Sequence, residues 1–255
     1  MSDDDATGDD FARRVRSAFA RNGFAPPRTG EARVVVFDSS SAWAMHADAV
    51  GRVLDAGESD RAVRFRFDQD RVRYILAHAL WRTVLGACLG VDPAHVPLAS
   101  TPSGQPRLPG TGLATSLSHS GSWVAVAVCA AATVGVDIEC SPSRIILDDL
   151  ISTICTPAEA ADVRMLPAPQ RERTLLALWT RKEALLKAFG VGLAEAPASL
   201  SAAAIGLVAP PMGASGLPTC RVEDLRLPAG LVGALAAPDA VKRCRLHMLN
   251  DAPAA

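Results

Sequence analysis

The sequence lacks the features that mark secreted, disulfide-bonded and membrane-spanning proteins. Its six cysteines form no C-x-x-C pair and lie eleven or more positions apart, which favours buried thiols in a reducing compartment over a disulfide framework or a zinc site. The N-terminal stretch MSDDDATGDD has no basic segment followed by an apolar one, so we expect no signal peptide and a cytoplasmic protein. The longest apolar run, residues 123–136, is shorter than the roughly 20 residues of a spanning helix, so no membrane contact is predicted.

An excess of either charge is also missing. The chain has 26 Lys and Arg residues against 27 Asp and Glu residues, so its overall charge predicts no nucleic-acid partner. Its 255 residues are 49% hydrophobic and 21% charged. This composition is typical of a soluble globular protein with one large domain or two small ones.

Apolar periodicity divides the chain into two halves of similar make-up. Residues 1–30 are acidic and then contain proline and glycine, and we predict a loosely ordered lead-in there. The pattern predicts a strand at 33–37, a helix within 60–89, a loop at 99–112, antiparallel strands at 123–129 and 133–139, a helix at 170–189, and strands at 220–227, 231–237 and 244–249. The fold class is therefore α+β, with similar halves at 31–130 and 131–255.

Two acids stand one residue apart in the stretch TVGVDIEC, residues 133–140. On a strand, Asp137 and Glu139 point to the same face, where two carboxylates repel each other unless a cation lies between them. A hard divalent ion such as Mg²⁺ suits such oxygens. The alternative is a strand end whose acids reach solvent.

Glu183 and Lys187 lie four residues apart on the second long helix, and are therefore neighbours on one helical face. They form either an ordinary surface ion pair, worth about 0.3–0.5 kcal/mol, or a third metal carboxylate beside a phosphate-binding lysine. The helix alone does not decide between these interpretations.

A histidine lies among hydroxyls in the stretch SLSHSGSW, residues 116–123, which we predict to be a loop before a strand. A nucleophile elbow is disfavoured because the G-x-S-x-G pattern needs a glycine at Ser118. Ser118 and His119 suit the binding of an anion, and the alternative is a plain turn.

Two further features have strong structural explanations. TPAE, residues 156–159, matches a capping box in which Glu159 binds the backbone N–H of Thr156, and a general-base role would be additional. A basic cluster precedes and enters the first long helix, and most of it is predicted to be a solvated face, with one or two members that hold a phosphate: Arg61, Arg64, Arg66, Arg71 and Arg73.

Taken in chain order, SLSHSGSW, VGVDIE, TPAE and WTRKEALLKAFG resemble the signatures of 4′-phosphopantetheinyl transferases of the surfactin-synthetase-activating type. The resemblance covers about residues 61–192. It implies a pseudo-dimeric α+β fold with coenzyme A bound between two similar halves. It also implies Mg²⁺, or Mn²⁺ in its place, a monomer, and transfer of the phosphopantetheine arm to a serine of an acyl or peptidyl carrier protein with release of adenosine 3′,5′-bisphosphate.

The resemblance also assigns site residues. It implies that Asp137, Glu139 and Glu183 bind the metal ion, and that Glu183, Lys187 and Glu159 take part in the reaction. The residues that it places around coenzyme A are Arg61, Arg73, Gly104, Gln105, Pro106, Ser118, His119 and Lys187.

One position departs from the family pattern. Members often have G-K-P where this chain has Gly104, Gln105 and Pro106, so a cation is lost or is supplied by Arg107. We expect weaker coenzyme A binding without loss of the reaction. The alternatives to a transferase are a non-catalytic paralogue that binds carrier proteins or coenzyme A, and a Mg²⁺-dependent nucleotide phosphohydrolase.

Overall fold

The computed structural model describes residues 5–39, 50–143, 145–203 and 206–249. The helices are α1 Asp5–Arg21, α2 Ala56–Ala62, α3 Asp68–Leu89, α4 Ile151–Ile154, α5 Pro157–Arg164 and α6 Ala168–Phe189. The strands are β1 Glu31–Asp38, β2 Ala99–Ser100, β3 Pro106–Arg107, β4 Ala114–Ser120, β5 Trp123–Cys129, β6 Gly135–Cys140, β7 Gly206–Val208, β8 Cys220–Asp224, β9 Leu231–Pro238 and β10 Arg243–Leu249. The predicted mixture of helices and strands is confirmed.

Two four-stranded sheets form the centre of the molecule, in the orders β10-β1-β5-β4 and β6-β9-β8-β7. Their facing sides share one apolar cluster, in which Val34 and Val36 of the first sheet join Val136 and Ile138 of the second. Helix α3 contributes to the core on the other side of the first sheet, and α6 does so for the second. Each half thus consists of a sheet and a 22-residue helix, as the pseudo-dimeric fold requires.

The predicted pairing of strands 123–129 and 133–139 is wrong. β5 pairs with β4 across a turn at Gly121, and β6 pairs with β9 in the other sheet. Gly121 adopts a positive φ of 59°, the conformation that a tight turn needs, whereas the Ala-Ala-Thr link after residue 130 contains no glycine. The stretch predicted as a loop around Ser118 is therefore strand β4.

The C-terminal strand returns to the first half of the molecule. β10 pairs in parallel with β1, with His247 opposite Val35, although it follows the second sheet in the chain. The predicted hairpin of β8 and β9 is confirmed, and both strands stay in the second sheet. The division near residue 130 stays a prediction, and the last strand crosses it.

The expectation of a loosely ordered N-terminal lead-in is wrong for residues 5–21, which form helix α1. Its buried residues, Phe11, Val15, Ala18 and Phe19, recur at helical spacing and join the apolar cluster of the first half. The acidic beginning of the chain obscured this pattern. Residues 1–4 of the predicted lead-in lie outside the described residues.

The two long helices end alike, at glycines in the left-handed conformation, Gly90 with φ 70° and Gly190 with φ 65°. The helix predicted within 60–89 is two helices, because α2 ends at Ala62 and α3 begins at Asp68. All six cysteines are free: Cys129, Cys155 and Cys220 are buried as predicted, whereas Cys88, Cys140 and Cys244 are only partly buried. None of the helices in the described ranges is long and apolar enough to cross a bilayer.

Candidate active site

The predicted acids lie where the two sheets meet, on strand β6 beside strand β4. The side chain of Asp137 is buried, and its Oδ1 accepts hydrogen bonds from Lys187 Nζ at 2.7 Å and Ser118 Oγ at 2.8 Å. Glu139 Oε2 accepts one from Ser120 Oγ at 2.6 Å. Position 135, shortly before both acids, has to be glycine because a Cβ there would collide with the Ala184 carbonyl of α6. The close approach of helix and strand brings Lys187 to Asp137.

Glu183 completes a group of electrostatically coupled carboxylates. Burial raises the pKa of Glu183, and the charges of Asp137 and Glu139 raise it further. Burial also raises the pKa of Glu139, and the charge of Asp137 raises it further. Hydrogen bonds from Ser120 and Trp179 lower this pKa but do not cancel the rise. The three acids therefore repel one another in a partly buried setting.

The donor set fits a cation. Asp137 Oδ2 and Glu183 Oε1 are buried and have no hydrogen-bond partner in the described ranges. Buried carboxylate oxygens are costly unless a donor or a cation reaches them. Carboxylate oxygens are the ligands that Mg²⁺ and Mn²⁺ take. Across the described ranges, however, no three such side chains are arranged as a ready-made metal cluster. The side chains supply the oxygens, and Lys187 holds one of them.

Two cavities lie along strand β4, next to this group, and a third is lined by Glu139 itself. One, of about 220 Å³, is lined by His119 and Arg73 together with Tyr74, whose ring lies under the Arg61 guanidinium at 5.8 Å. The other, of about 280 Å³, is lined by Gly104, Gln105, Pro106 and Lys187. All the residues that the resemblance places around coenzyme A thus lie in or beside these two cavities or, for Ser118, on the strand between them.

The surroundings of His119 disfavour its protonated form. Partial burial lowers the pKa of its imidazole, and the positive charges of Lys187 and Arg73 lower it further, against Asp137. An arriving phosphate would favour the protonated ring, because an anion nearby stabilises the charged imidazole.

Gln105 has a role that its family counterpart does not suggest. Its Nε2 donates to the carbonyls of Lys187 and Ala188, each at 3.1 Å, at the C-terminal end of α6. Ser103 Oγ donates to the carbonyl of Gly190 at 2.9 Å. The 99–112 segment of the first half is thereby attached to the helix of the second half that carries Lys187.

Glu159 forms the predicted capping box and more. It is buried, and it accepts hydrogen bonds from the backbone N–H groups of Thr156 and Ala202 and from Lys182 Nζ. Burial alone would raise the pKa of Glu159, but these donors outweigh it and lower the pKa. Its general-base role stays a prediction, and the contacts favour a structural one.

Ser120 and Trp179 escaped the sequence analysis as site residues. Both donate to Glu139, which only the folded chain brings within their reach. The sequence does carry one signal for Ser120: serine recurs at positions 116, 118 and 120, every second residue, which is the periodicity of a strand and not of the predicted loop.

Comparison with known proteins gives the family. A family model described as the 4′-phosphopantetheinyl transferase superfamily matches residues 133–209, and one described as the N-terminal part of 4′-phosphopantetheinyl transferases matches residues 40–131. A Nostoc 4′-phosphopantetheinyl transferase is 34% identical over 146 residues, covering 56% of this chain and 62% of the relative. A Thraustochytrium phosphopantetheinyl transferase is 36% identical over 171 residues, covering 59% and 58%.

A 4′-phosphopantetheinyl transferase of Bacillus subtilis is 30% identical over 156 residues, covering 56% of this chain and 68% of the relative. The matched region thus spans about 60% of the length of the first two relatives and over two thirds of the third. The two family models match the two halves in their chain order. The chain belongs to the 4′-phosphopantetheinyl transferase superfamily.

Proposed function

We propose that the protein transfers the 4′-phosphopantetheine arm of coenzyme A to a serine of an acyl or peptidyl carrier protein, as a transferase of the surfactin-synthetase-activating type. The observation that supports this most is the pair of buried oxygens on Asp137 and Glu183 that have no hydrogen-bond partner among the described residues, beside Lys187, which lines a cavity. A carboxylate group of this kind has a use where a cation and a polyphosphate meet. Monomeric state and a cytoplasmic location stay predictions.

Asp137, Glu139 and Glu183 would hold a Mg²⁺ or Mn²⁺ ion. When bound, such an ion would act as a Lewis acid that neutralises negative charge on the pyrophosphate and on the phosphate that leaves. Lys187 would turn from Asp137 toward the phosphates and add positive charge where negative charge develops. His119, Arg73 and Arg61 would receive the remaining phosphate charge of coenzyme A in the smaller cavity.

In the reaction, the carrier serine Oγ forms a bond to the phosphorus that bears the pantetheine arm, and the bond from that phosphorus to the bridging oxygen breaks. The serine proton passes to a base, and adenosine 3′,5′-bisphosphate leaves. Glu159 is poorly suited to the base role, because its oxygens already accept three hydrogen bonds and its pKa is lowered.

The test is an incubation of the protein with coenzyme A, Mg²⁺ and an apo carrier protein, followed by the intact mass of the carrier. We expect a phosphopantetheine adduct, none with Asp137→Ala and nearly none with Glu183→Ala. Asp162→Ala, which removes an exposed acid, serves as the control with normal transfer. Absence of an adduct across several carrier types would contradict the proposal. Coenzyme A cleavage without a carrier would indicate the hydrolase, and binding without turnover would indicate the non-catalytic paralogue.

A further inference from the structure

Strands β4 and β6 are edge strands of two different sheets, yet three serine side chains, at every second position of β4, connect them. The backbone N–H groups of Val136, Ile138 and Cys140 donate to the hydroxyl oxygens of Ser116, Ser118 and Ser120 at 3.1, 3.3 and 3.0 Å. Each contact joins residues twenty positions apart, so the two strands run alongside each other in the same direction. We call this row of contacts the serine ladder.

The serine ladder replaces the pairing that an edge strand lacks. Every second N–H of β6 points away from its partner β9, and in the parts of the chain that are described no backbone hydrogen bond joins β4 to β6. Unpaired edge N–H groups are costly when buried. Serines at every second position of β4 point to one face and repeat with the same period as these N–H groups. The hydroxyls therefore satisfy the edge of β6 in register.

The same hydroxyls donate to the acids of the proposed site. Ser118 Oγ donates to Asp137 Oδ1 at 2.8 Å, and Ser120 Oγ donates to Glu139 Oε2 at 2.6 Å. Each of these two serines thus accepts one hydrogen bond from the backbone of β6 and donates one to the carboxylate of the preceding β6 residue. Ser116 accepts a hydrogen bond from Val136, and the residue before Val136 is Gly135, which has no side chain. Ser116 therefore makes only the backbone contact.

We infer that the serine ladder sets the register between the two halves and orients the carboxylates, and that Ser120 is a positioning residue for Glu139. This inference rests on the proposed function in so far as Glu139 binds a metal ion. Its physical basis is that a carboxylate that is hydrogen-bonded to a fixed hydroxyl keeps one orientation. Loss of such a hydrogen-bond partner commonly lowers the metal affinity of a site by about 10- to 100-fold, so we expect a loss of at least about tenfold.

The chain offers a matched pair of variants. Ser120→Ala removes a backbone contact and a carboxylate contact, whereas Ser116→Ala removes only a backbone contact. Binding of Mn²⁺ alone, measured by titration calorimetry, should weaken at least about tenfold in Ser120→Ala and stay within about twofold in Ser116→Ala. Both variants should unfold at a lower temperature than the parent protein. Ser120→Thr, which keeps the hydroxyl, should restore Mn²⁺ binding.

Equal Mn²⁺ affinities in Ser120→Ala and Ser116→Ala would overturn the inference, and so would a Ser120→Thr variant as weak as Ser120→Ala. A parent protein that binds no Mn²⁺ would do the same. The result is independent of carrier-protein transfer. If Ser120→Ala alone weakens Mn²⁺ binding but no carrier is modified, the proposed function fails and the positioning role stands. If a carrier is modified but the two variants bind Mn²⁺ equally, the proposed function stands and the positioning role fails.

Discussion

At the scale of the residue, two glutamates of neighbouring elements show how surroundings separate roles. Glu159 is surrounded by three donors that stabilise its charge, and its pKa is lowered. Glu183 is close to other acids and has a raised pKa, and one of its buried oxygens has no donor in the described part of the chain. The residue type is the same, but one environment stabilises a permanent anion and the other favours a proton or a cation.

For Glu159 we expect a structural effect on substitution. Glu159→Gln leaves Lys182, which is fully buried, without its charge partner, and should lower the free energy of unfolding by about 3–5 kcal/mol. The double variant Glu159→Gln with Lys182→Met removes both charges and should regain much of this loss. Chemical denaturation measures the stabilities, and transfer to an apo carrier measures the activity.

The same double variant decides whether Glu159 is the base. With the stability regained, the transfer rate per folded molecule should lie within a few-fold of the parent rate. A rate lower by a factor of about 100 or more in a stably folded double variant would instead restore the general-base role, which contributes roughly that much in enzymes.

At the scale of the element, helix α6 carries Glu183 and Lys187 of the proposed site, and side chains from other elements bind its C-terminal end. The carbonyls of Lys187 and Ala188 in its last turn, and that of Gly190 just after it, accept hydrogen bonds from the side chains of Gln105, Thr133 and Ser103. Carbonyls at a helix end have no partner within the helix, so these donors satisfy them. Gly190 is suited to this contact, since a Cβ there would collide with the Gln105 side chain.

Substitution of Gln105 should loosen this end of α6. Gln105→Ala removes donors to two carbonyls, and we expect a loss of about 1–2 kcal/mol in stability, faster amide exchange at Gly190 and Val191, and a several-fold higher KM for coenzyme A. Gln105→Glu should be worse, because a carboxylate would face those carbonyls. The control is Gln170→Ala, which changes an exposed glutamine at the other end of α6. Unchanged exchange at Gly190 in Gln105→Ala would show that the attachment does not hold the helix end.

At the scale of the whole molecule, elements that are far apart in the chain meet on the first sheet. Helix α1 and strand β10 both pack there, and the buried His247 of β10 lies edge-on to the Phe24 ring, with 5.2 Å between the ring centres. Its imidazole is hydrogen-bonded to the Asn22 backbone, while its Nε2 has no partner among the residues that the structure describes. Burial lowers the pKa of His247, and the positive charges of Arg33 and Arg245 lower it further.

This histidine should make stability depend on pH below neutrality. Because the folded pKa is lowered, the unfolded chain binds the proton more readily, so the contribution is present above the ordinary value of 6.5 and is lost as the pH falls through the folded pKa. One such group changes the free energy of unfolding by at most about 1.4 kcal/mol per pH unit. His247→Asn, which keeps a donor for Asn22, should reduce this slope between pH 7 and 5.

Urea denaturation at several pH values measures the slope. His95→Asn, in which an exposed histidine is replaced, should retain the parent slope. If His247→Asn and the parent protein lose stability equally on acidification, the dependence arises elsewhere, for instance at His119, whose pKa is also lowered.

The sequence by itself determined the family signatures, the residue types of the site, the α+β class, the two long helices and the capping box at Thr156. These features depend on residues a few positions apart, whose relation is set by the periods of helix and strand and by local hydrogen bonds. The motifs also named Asp137, Glu139, Glu183 and Lys187, of which the fold pairs Lys187 with Asp137 and couples the three acids.

Only the tertiary structure decided which elements are neighbours. It placed β6 in a different sheet from β5, returned β10 to β1, packed α1 into the core, and brought Gln105 to carbonyls 82 and 83 residues away and Ser120 to Glu139. Serines at every second position are compatible with a loop, with an ordinary strand or with the serine ladder, and only the identity of the neighbouring strand distinguishes these. The physical reason is that a hydrogen bond between distant residues depends on the path of the whole chain, which no local pattern records.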